Sequence, residues 1–105
     1  MKDILSKLDK LFESRVRLGI MSMLMVNDWV HYSVLRDNVR LEADKKLTDG
    51  NLASHLKKLK EAGYVEEKKT FKQNKPHTTY KASISGRKAF EAHLDALEAL
   101  IKGLE

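Results

Sequence analysis

The apolar positions in the first quarter of the chain recur at helical spacing and predict two helices. The second of these runs from about residue 14 or 15 to residue 26 and includes "LGIMSMLMV", which is apolar almost all round. A helix of that kind belongs at the centre of a core, where its methionines fill gaps. The first is an amphipathic helix with Asp3 as a possible N-cap and one apolar stripe, formed by Ile4, Leu5, Leu8, Leu11 and Phe12.

The pattern then becomes extended for a few residues before it returns to helical. The stretch "WVHY", residues 29–32, is aromatic and β-branched and follows the breaker pair "ND", so it predicts a brief strand. Ser33 can cap a short helix that carries Val34, Leu35 and Val39. The charged run "RLEADKK", residues 40–46, is compatible with an extension of that helix or with a surface loop.

A further helix, over residues 49–62, has the clearest boundaries. Thr48 is a good N-cap, Asp49 suits the positive end of the helix dipole, and Gly63 is a good stop. One face is an apolar stripe of Leu52, Leu56 and Leu59. The opposite face is small and polar near its start and rich in lysine further on; it holds Gly50, Asn51, Ser54, Lys57, Lys58 and Glu61, with His55 at its border.

A β-hairpin is predicted directly after this helix. "YVEEKKTF" and "TTYKAS" have the composition of strands, and "KQNKPH" has the Asn and Pro of a turn. We expect Pro76 to stiffen the turn, and Thr70, Phe71, Thr79 and Tyr80 to hold the hairpin together and pack it on the domain. Lysines mark the tip and both arms, among them Lys68, Lys69, Lys72 and Lys75.

The last segment predicts a long helix capped by Ser83 or Ser85. Its apolar residues recur at spacings of four and three: Phe90, Leu94, Leu97, Ile101 and Leu104, supplemented by Leu100. This seam could lie on the domain's own core. Because it is very apolar for the end of so small a domain, an interface between two copies is the favoured interpretation, joined by the N-terminal residues Leu5, Leu8 and Phe12.

Charge is concentrated in one part of the chain. The formal net charge is +5, and residues 48–83 contain eight lysines against four acids, whereas both ends are nearly neutral. A localised basic surface of this kind suits a polyanionic partner.

Composition limits the remaining possibilities. A length of 105 residues with 42% hydrophobic content fits one domain, residues 1–105, with a core over about 14–83 and an interface helix over about 84–104. The chain has no cysteine, no signal-peptide pattern and no run of the roughly 20 apolar residues that a membrane span needs. These features predict a soluble, cytoplasmic protein that does not interact with membranes.

Patterns typical of catalysis or metal binding do not occur in the sequence. It has no glycine-rich phosphate loop, no nucleophile motif and no paired-carboxylate constellation, so an enzyme is not expected. The four histidines, His31, His55, His77 and His93, show no ligand spacing. Neither a metal nor another cofactor is predicted, and the sequence identifies no small-molecule effector.

The order of a polar-faced helix followed by a basic hairpin is that of a winged helix-turn-helix. In that geometry a helix enters the major groove of DNA while the hairpin, or wing, touches the backbone or the minor groove. Asparagine can pair with adenine edges, serine with several bases, and lysine with guanine or phosphate. The polar face of helix 49–62 is therefore chemically suited to a major groove.

Two stretches, "LTDGNLASHLKKLKEAGYVEEKKTF" and "KPHTTYKASISGRKAFEAHLDALEAL", resemble small stand-alone winged-helix transcriptional regulators related to the MarR and ArsR groups. "SRVRLGIMSML" is similar to their second helix. The resemblance implies an α+β fold that is mainly helical with a small hairpin, and a homodimeric DNA-binding regulator. The chain departs from the family at residues 40–46, which lengthen the connection to the recognition helix.

The resulting hypothesis is a sequence-specific regulator of double-stranded DNA, acting as a repressor by occlusion because no segment is left for recruiting polymerase. The alternative is a winged-helix module that binds a protein partner instead of DNA. The predicted recognition-helix contacts are Thr48, Gly50, Asn51, Ser54, His55, Lys57 and Lys58, and the predicted wing contacts are Lys68, Lys69, Lys72, Lys75 and His77. The predicted dimer interface consists of Leu5, Leu8, Phe12, Phe90, Leu94, Leu97, Ile101 and Leu104.

Overall fold

The fold consists of helices and one three-stranded antiparallel sheet. The structure is a computed structural model that describes residues 2–39 and 49–103. The sheet has the strand order β1-β3-β2. In chain order the elements are α1 (Lys2–Ser6), a 3-10 helix (Lys10–Glu13), α2 (Arg15–Met25), β1 (Val30–His31), α3 (Tyr32–Val39), α4 (Asp49–Glu61), β2 (Val65–Lys72), β3 (Lys75–Ala82) and α5 (Ile84–Ile101). This is the mainly helical α+β fold that the sequence predicts.

The core forms around α2 and α4. Ile20, Met21 and Leu24 of α2 are fully buried, as expected for a central helix, and Met21 fills the core in the way predicted for these methionines. The predicted leucine stripe of α4 is confirmed, since Leu52, Leu56 and Leu59 are all buried. Burying a leucine side chain contributes about 1.5–3 kcal/mol, so this stripe fixes which face of α4 remains outside.

The N-terminal segment is not the single amphipathic helix that the sequence predicts. α1 ends at Ser6, and Asp9 then adopts an extended conformation and caps the 3-10 helix by accepting a hydrogen bond from the Leu11 N–H at 2.9 Å. The other carboxylate oxygen of Asp9 accepts from the Tyr64 hydroxyl at 2.6 Å. A short polar side chain with these partners competes with helix continuation. Asp3 lies inside α1 and is not its cap.

Two other predicted boundaries shift by a residue or more. The predicted strand is confined to Val30 and His31, and α3 begins at Tyr32, which places Ser33 inside the helix. The run at residues 40–46, whose conformation the sequence left open, lies outside the described residues.

The connection from α4 to the hairpin follows the local signals in the sequence. Gly63 has a φ of +80°, and the N–H groups of Gly63 and Tyr64 donate to the carbonyls of Lys60 and Leu59. These two bonds form a Schellman motif, which favours glycine at this position. The predicted stop at Gly63 is confirmed.

The hairpin is longer and its turn tighter than predicted. β2 and β3 pair continuously from Val65↔Ala82 to Lys72↔Lys75, which leaves a two-residue loop of Gln73 and Asn74. Both loop residues have positive φ, as a type I′ turn requires. Pro76 therefore does not belong to the turn; it lies in β3, beyond the reach of β1, where the missing N–H costs no sheet hydrogen bond on that side.

The beginning of α5 is fastened to the α4–β2 connection. Ser83 is the N-cap, accepting from the Gly86 N–H at 2.9 Å, and its hydroxyl donates to the Gly63 carbonyl at 2.6 Å. Gly86 lies against the backbone of Tyr64. Arg87 donates to the carbonyls of Leu24 and Met25, where it satisfies the end of α2.

The leucine seam of α5 does not lie on the domain's own core, because a different face of the helix is buried. The buried face consists of Gly86, Phe90, His93 and Ala96. Phe90 and Phe12 are 5% and 3% exposed, and their rings pack edge to face with centroids 5.2 Å apart. These two residues belong to the protomer's own core and are not available to a partner, contrary to the predicted dimer interface.

Candidate nucleic-acid interface

The outer face of α4 carries exposed polar and basic side chains. Asn51, Ser54, Lys57 and Lys58 are all exposed, on the side opposite the buried leucine stripe. Lys57 lies 3.9 Å from Glu61 one turn further on, an exposed pair that contributes little to stability. Of the other predicted contacts, Gly50 lies in the first turn of α4 and Thr48 is outside the described residues.

The predicted wing lysines divide into two groups. Lys68 and Lys69 lie midway along the hairpin, where the Lys68 ammonium is 4.3 Å from the centre of the Trp29 ring and the Lys69 ammonium is 3.9 Å from the Glu67 carboxylate. Lys72 and Lys75 face each other across the tip and are exposed. The tip is therefore the most cationic part of the hairpin.

A cleft of about 780 Å³ separates α4 from the hairpin. Its lining includes the start of α3 and has more basic than acidic side chains; among the lining residues are Ser33, Lys57, Lys60, Lys69, His77 and Tyr80. The ring of His77 also contacts that of His31, with centroids 5.8 Å apart. A concave surface lined by lysines and hydroxyls has the chemistry that binds phosphate oxygens.

Comparison with known proteins identifies the fold that combines this helix, cleft and basic hairpin. A family model described as a winged helix DNA-binding domain matches residues 16–101. The chain belongs to the winged helix DNA-binding domain family. Within this domain, α4 is the helix predicted to be the recognition helix and β2–β3 is the predicted wing.

Two individual proteins are similar to this chain over almost its whole length. An uncharacterized protein from Methanocaldococcus jannaschii is 35% identical over 96 residues, which cover 91% of this chain and 98% of that protein. The structure of a transcriptional regulator homologue from Pyrococcus horikoshii is 29% identical, has a TM-score of 0.79 and is matched over 99% of this chain and 95% of that one. The resemblance to winged-helix regulators that the sequence predicts is confirmed.

A more distant structure shares the fold. A MarR-family protein from Porphyromonas gingivalis is 17% identical with a TM-score of 0.64, over 90% of this chain and 86% of that one. Family and fold are those of DNA-binding regulators rather than of enzymes. Within residues 2–39 and 49–103, no three His, Asp or Glu side chains converge as metal ligands, and no helix is long and apolar enough to cross a membrane.

The wing of this winged-helix domain is anchored by Glu67, which sequence reasoning missed. Its carboxylate accepts hydrogen bonds from the Tyr80 hydroxyl at 2.8 Å and from the Lys60 ammonium at 3.0 Å. The Tyr80 hydrogen bond is the main reason that the pKa of Glu67 lies below its ordinary value, and burial together with Glu67 raises the pKa of Tyr80. Because Lys60 belongs to α4 and Tyr80 to β3, one carboxylate ties the wing to the recognition helix.

His55 is held by Arg17, another partner that the sequence did not reveal. The Arg17 guanidinium lies 3.0 Å from Nδ1 of His55 and also donates to the Leu11 carbonyl at 2.7 Å. Since arginine has no acceptor, Nδ1 must accept and the ring proton sits on Nε2. Burial, Arg17 and Lys58 lower the pKa of His55.

This environment makes stability depend on pH. The pKa of His55 is lower in the folded state than in the unfolded chain, so the unfolded chain protonates this residue at a higher pH. The stability that neutral His55 contributes is fully present above pH 6.5 and should be lost as the pH falls through the pKa that His55 has in the folded state. We expect the melting temperature of the wild-type chain to fall more between pH 7 and pH 5 than that of His55→Gln.

The matched control is His31→Gln, which removes an exposed histidine and should retain the full pH response. Thermal unfolding followed by circular dichroism across this range measures the difference. An identical pH response in wild type and His55→Gln would contradict the assignment of His55 as a neutral acceptor.

Proposed function

We propose that this protein is a sequence-specific regulator that binds double-stranded DNA as a homodimer and represses transcription by occlusion. The observation that carries the proposal is the exposed face of α4, with Asn51, Ser54 and Lys58, beside a hairpin whose tip presents Lys72 and Lys75. A helix of this kind fits the major groove, and the hairpin then lies on the backbone or in the minor groove.

The roles divide between base contacts and phosphate contacts. In the proposal Asn51 and Ser54 read base edges, and His55 offers its Nε2–H from the border of the same face. Thr48 and Gly50 complete the recognition-helix set by bringing the start of the helix close to DNA. Phosphates are bound by the lysines and by His77; the lysines are Lys57, Lys58, Lys68, Lys69, Lys72 and Lys75.

The homodimer is supported by the outer face of α5. The inner face of this helix uses Phe90, a histidine and two small residues, while Leu94, Leu97 and Ile101 point outward with 44%, 37% and 85% of their surface exposed. Their spacing makes one stripe along the helix, and Leu5 of α1 is half exposed nearby in a helix that contacts α5. We propose that this stripe joins two copies together with Leu5, Leu8 and Leu104, the last of which lies outside the described residues. Residues 84–104 then serve dimerisation and residues 14–83 serve DNA binding.

A twofold dimer would present two copies of α4 to one face of the duplex. Half-sites then lie about 34–36 Å apart, one turn of DNA, in a pseudo-palindrome. A dimer seated on a promoter would exclude other proteins from that segment, which is the basis for proposing repression. Selection of bound fragments from random duplex DNA tests binding, half-site spacing and symmetry together.

The division of roles predicts two different kinds of defect. Lys72→Ala/Lys75→Ala should weaken binding to every duplex and reduce the slope of log affinity against log salt by about 0.9 for each phosphate that is no longer neutralised. Asn51→Ala should instead change the preferred bases, at about 1–3 kcal/mol for the base pair that Asn51 reads. Fluorescence anisotropy on a panel of single-base variants of the selected site, over a range of salt, measures both.

A control with the same charge change is Lys10→Ala/Lys88→Ala, at two exposed positions outside α4 and the hairpin, which should leave the salt slope unchanged. Unchanged affinity of the tip variant at low salt would remove the wing from the interface. A uniform loss in Asn51→Ala would count against base readout. No duplex binding at all would favour a winged-helix module for a protein partner.

A further inference from the structure

The outer half of the hairpin projects beyond the rest of the sheet. β1 pairs with β3 only at Tyr80 and Thr79, so no third strand among the described residues lies beside the cross-strand pairs from Lys69↔Thr78 to Lys72↔Lys75. The type I′ turn, with both loop residues at positive φ, defines the register at the end of this arm. The tip is thus a two-stranded arm of defined shape.

An aromatic ring sits near the end of this arm without being buried. Phe71 is 77% exposed, and it is the only exposed residue among the seven Phe, Tyr and Trp of the chain, all of which lie within the described residues. The sequence predicts that Phe71 packs on the domain, and the structure contradicts this. The reason is its position: Phe71 is on the face that carries Val65 and Tyr80, but it lies past the end of the core.

Phe71 has a second apolar group at its side. It pairs with Pro76 across the hairpin, and because paired residues share a face, the two side chains form one small apolar ridge. Pro76 is exposed as well. Lys69 lies on the same face two residues before Phe71, and the pair Lys72↔Lys75 follows on the opposite face at the tip. An apolar ridge surrounded by cations is the result.

The lysines around the apolar ridge determine which partner the ridge can contact. A second copy of the chain, placed tip to tip, would bring two sets of lysines together and be repelled. Duplex DNA, in contrast, offers phosphates on both sides of a groove whose floor consists of base edges. Proteins that bend DNA through the minor groove insert Phe, Leu, Ile, Met or Pro between base steps while basic residues hold the backbone.

We propose that Phe71, supported by Pro76, is a wedge that the wing inserts into the minor groove, where it partly unstacks one base step and bends the duplex. This inference rests on the proposed function and adds to it a deformation of the DNA. It also predicts a sequence preference under the wing, since TA and CA/TG steps unstack most easily. That preference would concern base pairs other than those that α4 contacts.

The test uses the full chain and the duplex obtained by selection, labelled at both ends for energy transfer and carrying 2-aminopurine at the step under the wing. Wild type should shorten the end-to-end distance and increase 2-aminopurine fluorescence. Phe71→Ala should lose both signals and bind roughly tenfold more weakly, because the stacking of the aromatic ring on the bases is lost. Phe71→Leu, which keeps an apolar wedge, should retain part of the bend.

Two comparisons separate this role from the others. Phe71→Ala removes no charge and should leave the salt slope of binding unchanged, whereas Lys72→Ala/Lys75→Ala should reduce it. Ile84→Ala removes a comparably exposed apolar side chain away from the wing and should bend DNA as wild type does.

The outcomes are distinct for the two proposals. Wild-type binding and bending by Phe71→Ala would overturn the wedge while leaving the regulator in place. A change in sedimentation with unchanged bending would assign Phe71 to contact between copies and also overturn the wedge. Failure of the wild-type chain to bind any duplex would overturn the proposed function and the wedge with it.

Discussion

Gly86→Ala is expected to destabilise the domain by at least about 3 kcal/mol. A Cβ at this position would collide with the carbonyl oxygen of Tyr64 and lie 2.8 Å from its carbonyl carbon and 2.9 Å from its Cα. These are backbone atoms, so no rotamer change relieves the contact. The same Tyr64 carbonyl accepts from the Ser83 N–H at 3.0 Å, so any displacement also weakens the start of α5. Urea unfolding followed by circular dichroism measures the loss of stability.

The matched control is Gly19→Ala in the interior of α2. A Cβ there would meet the Val39 side chain at 3.5 Å, an ordinary contact, and alanine favours a helix by about 1 kcal/mol over glycine. Gly19→Ala should therefore leave stability unchanged or raise it. Similar midpoints for Gly86→Ala and wild type would show that α5 does not approach the α4–β2 connection as closely as described.

Leu94→Glu/Ile101→Glu is expected to convert the proposed dimer into folded monomers and to weaken operator binding by about 100-fold to 10,000-fold. Both side chains are substantially exposed in the protomer, so its fold should survive, while two buried carboxylates would prevent the proposed contact between copies. The large fall in affinity arises because two linked recognition helices bind one site far more tightly than one. Sedimentation velocity at micromolar concentration and anisotropy on the selected duplex measure the two effects.

Val26→Glu/Ile84→Glu is the control, since it adds the same charge at two exposed apolar positions away from the stripe. It should remain dimeric and lose only the modest affinity that two added negative charges cost. A wild-type chain that sediments as a monomer at this concentration would remove the dimer from the proposed function. A dimeric Leu94→Glu/Ile101→Glu variant would place the interface on another face.

Local signals accounted for much of the fold. The α4 stripe, the stop at Gly63, the hairpin and the cap at Ser83 each depend on residues within a few positions of one another, and short-range patterns report such features well. The basic tip was recognisable for the same reason. Its lysines are close in sequence and remain close in the structure.

The structural features that the sequence did not predict depend on contacts between residues that are far apart in the chain. The helix break at Asp9 is stabilised by Tyr64, and the buried His93 is satisfied by the Asp9 N–H, which donates to its Nδ1 at 3.0 Å. His93 and Ala96 lie on the inward face of α5 together with Phe90, which the sequence had assigned to the outward seam of leucines. The bonds from Arg17 to His55 and from Lys60 to Glu67 are likewise tertiary, and neither has a motif.

The two hydrogen bonds of the Glu67 carboxylate influence the affinity that the proposed DNA-binding surface can reach. Because Lys60 and Tyr80 both bind it, the recognition helix and the wing behave as one preorganised body within each protomer. The conformational entropy of positioning the wing is then lost during folding rather than at the encounter with DNA. In the proposed dimer, the angle between the two protomers is the variable that remains, so a signal that changes DNA affinity would act most effectively at their interface.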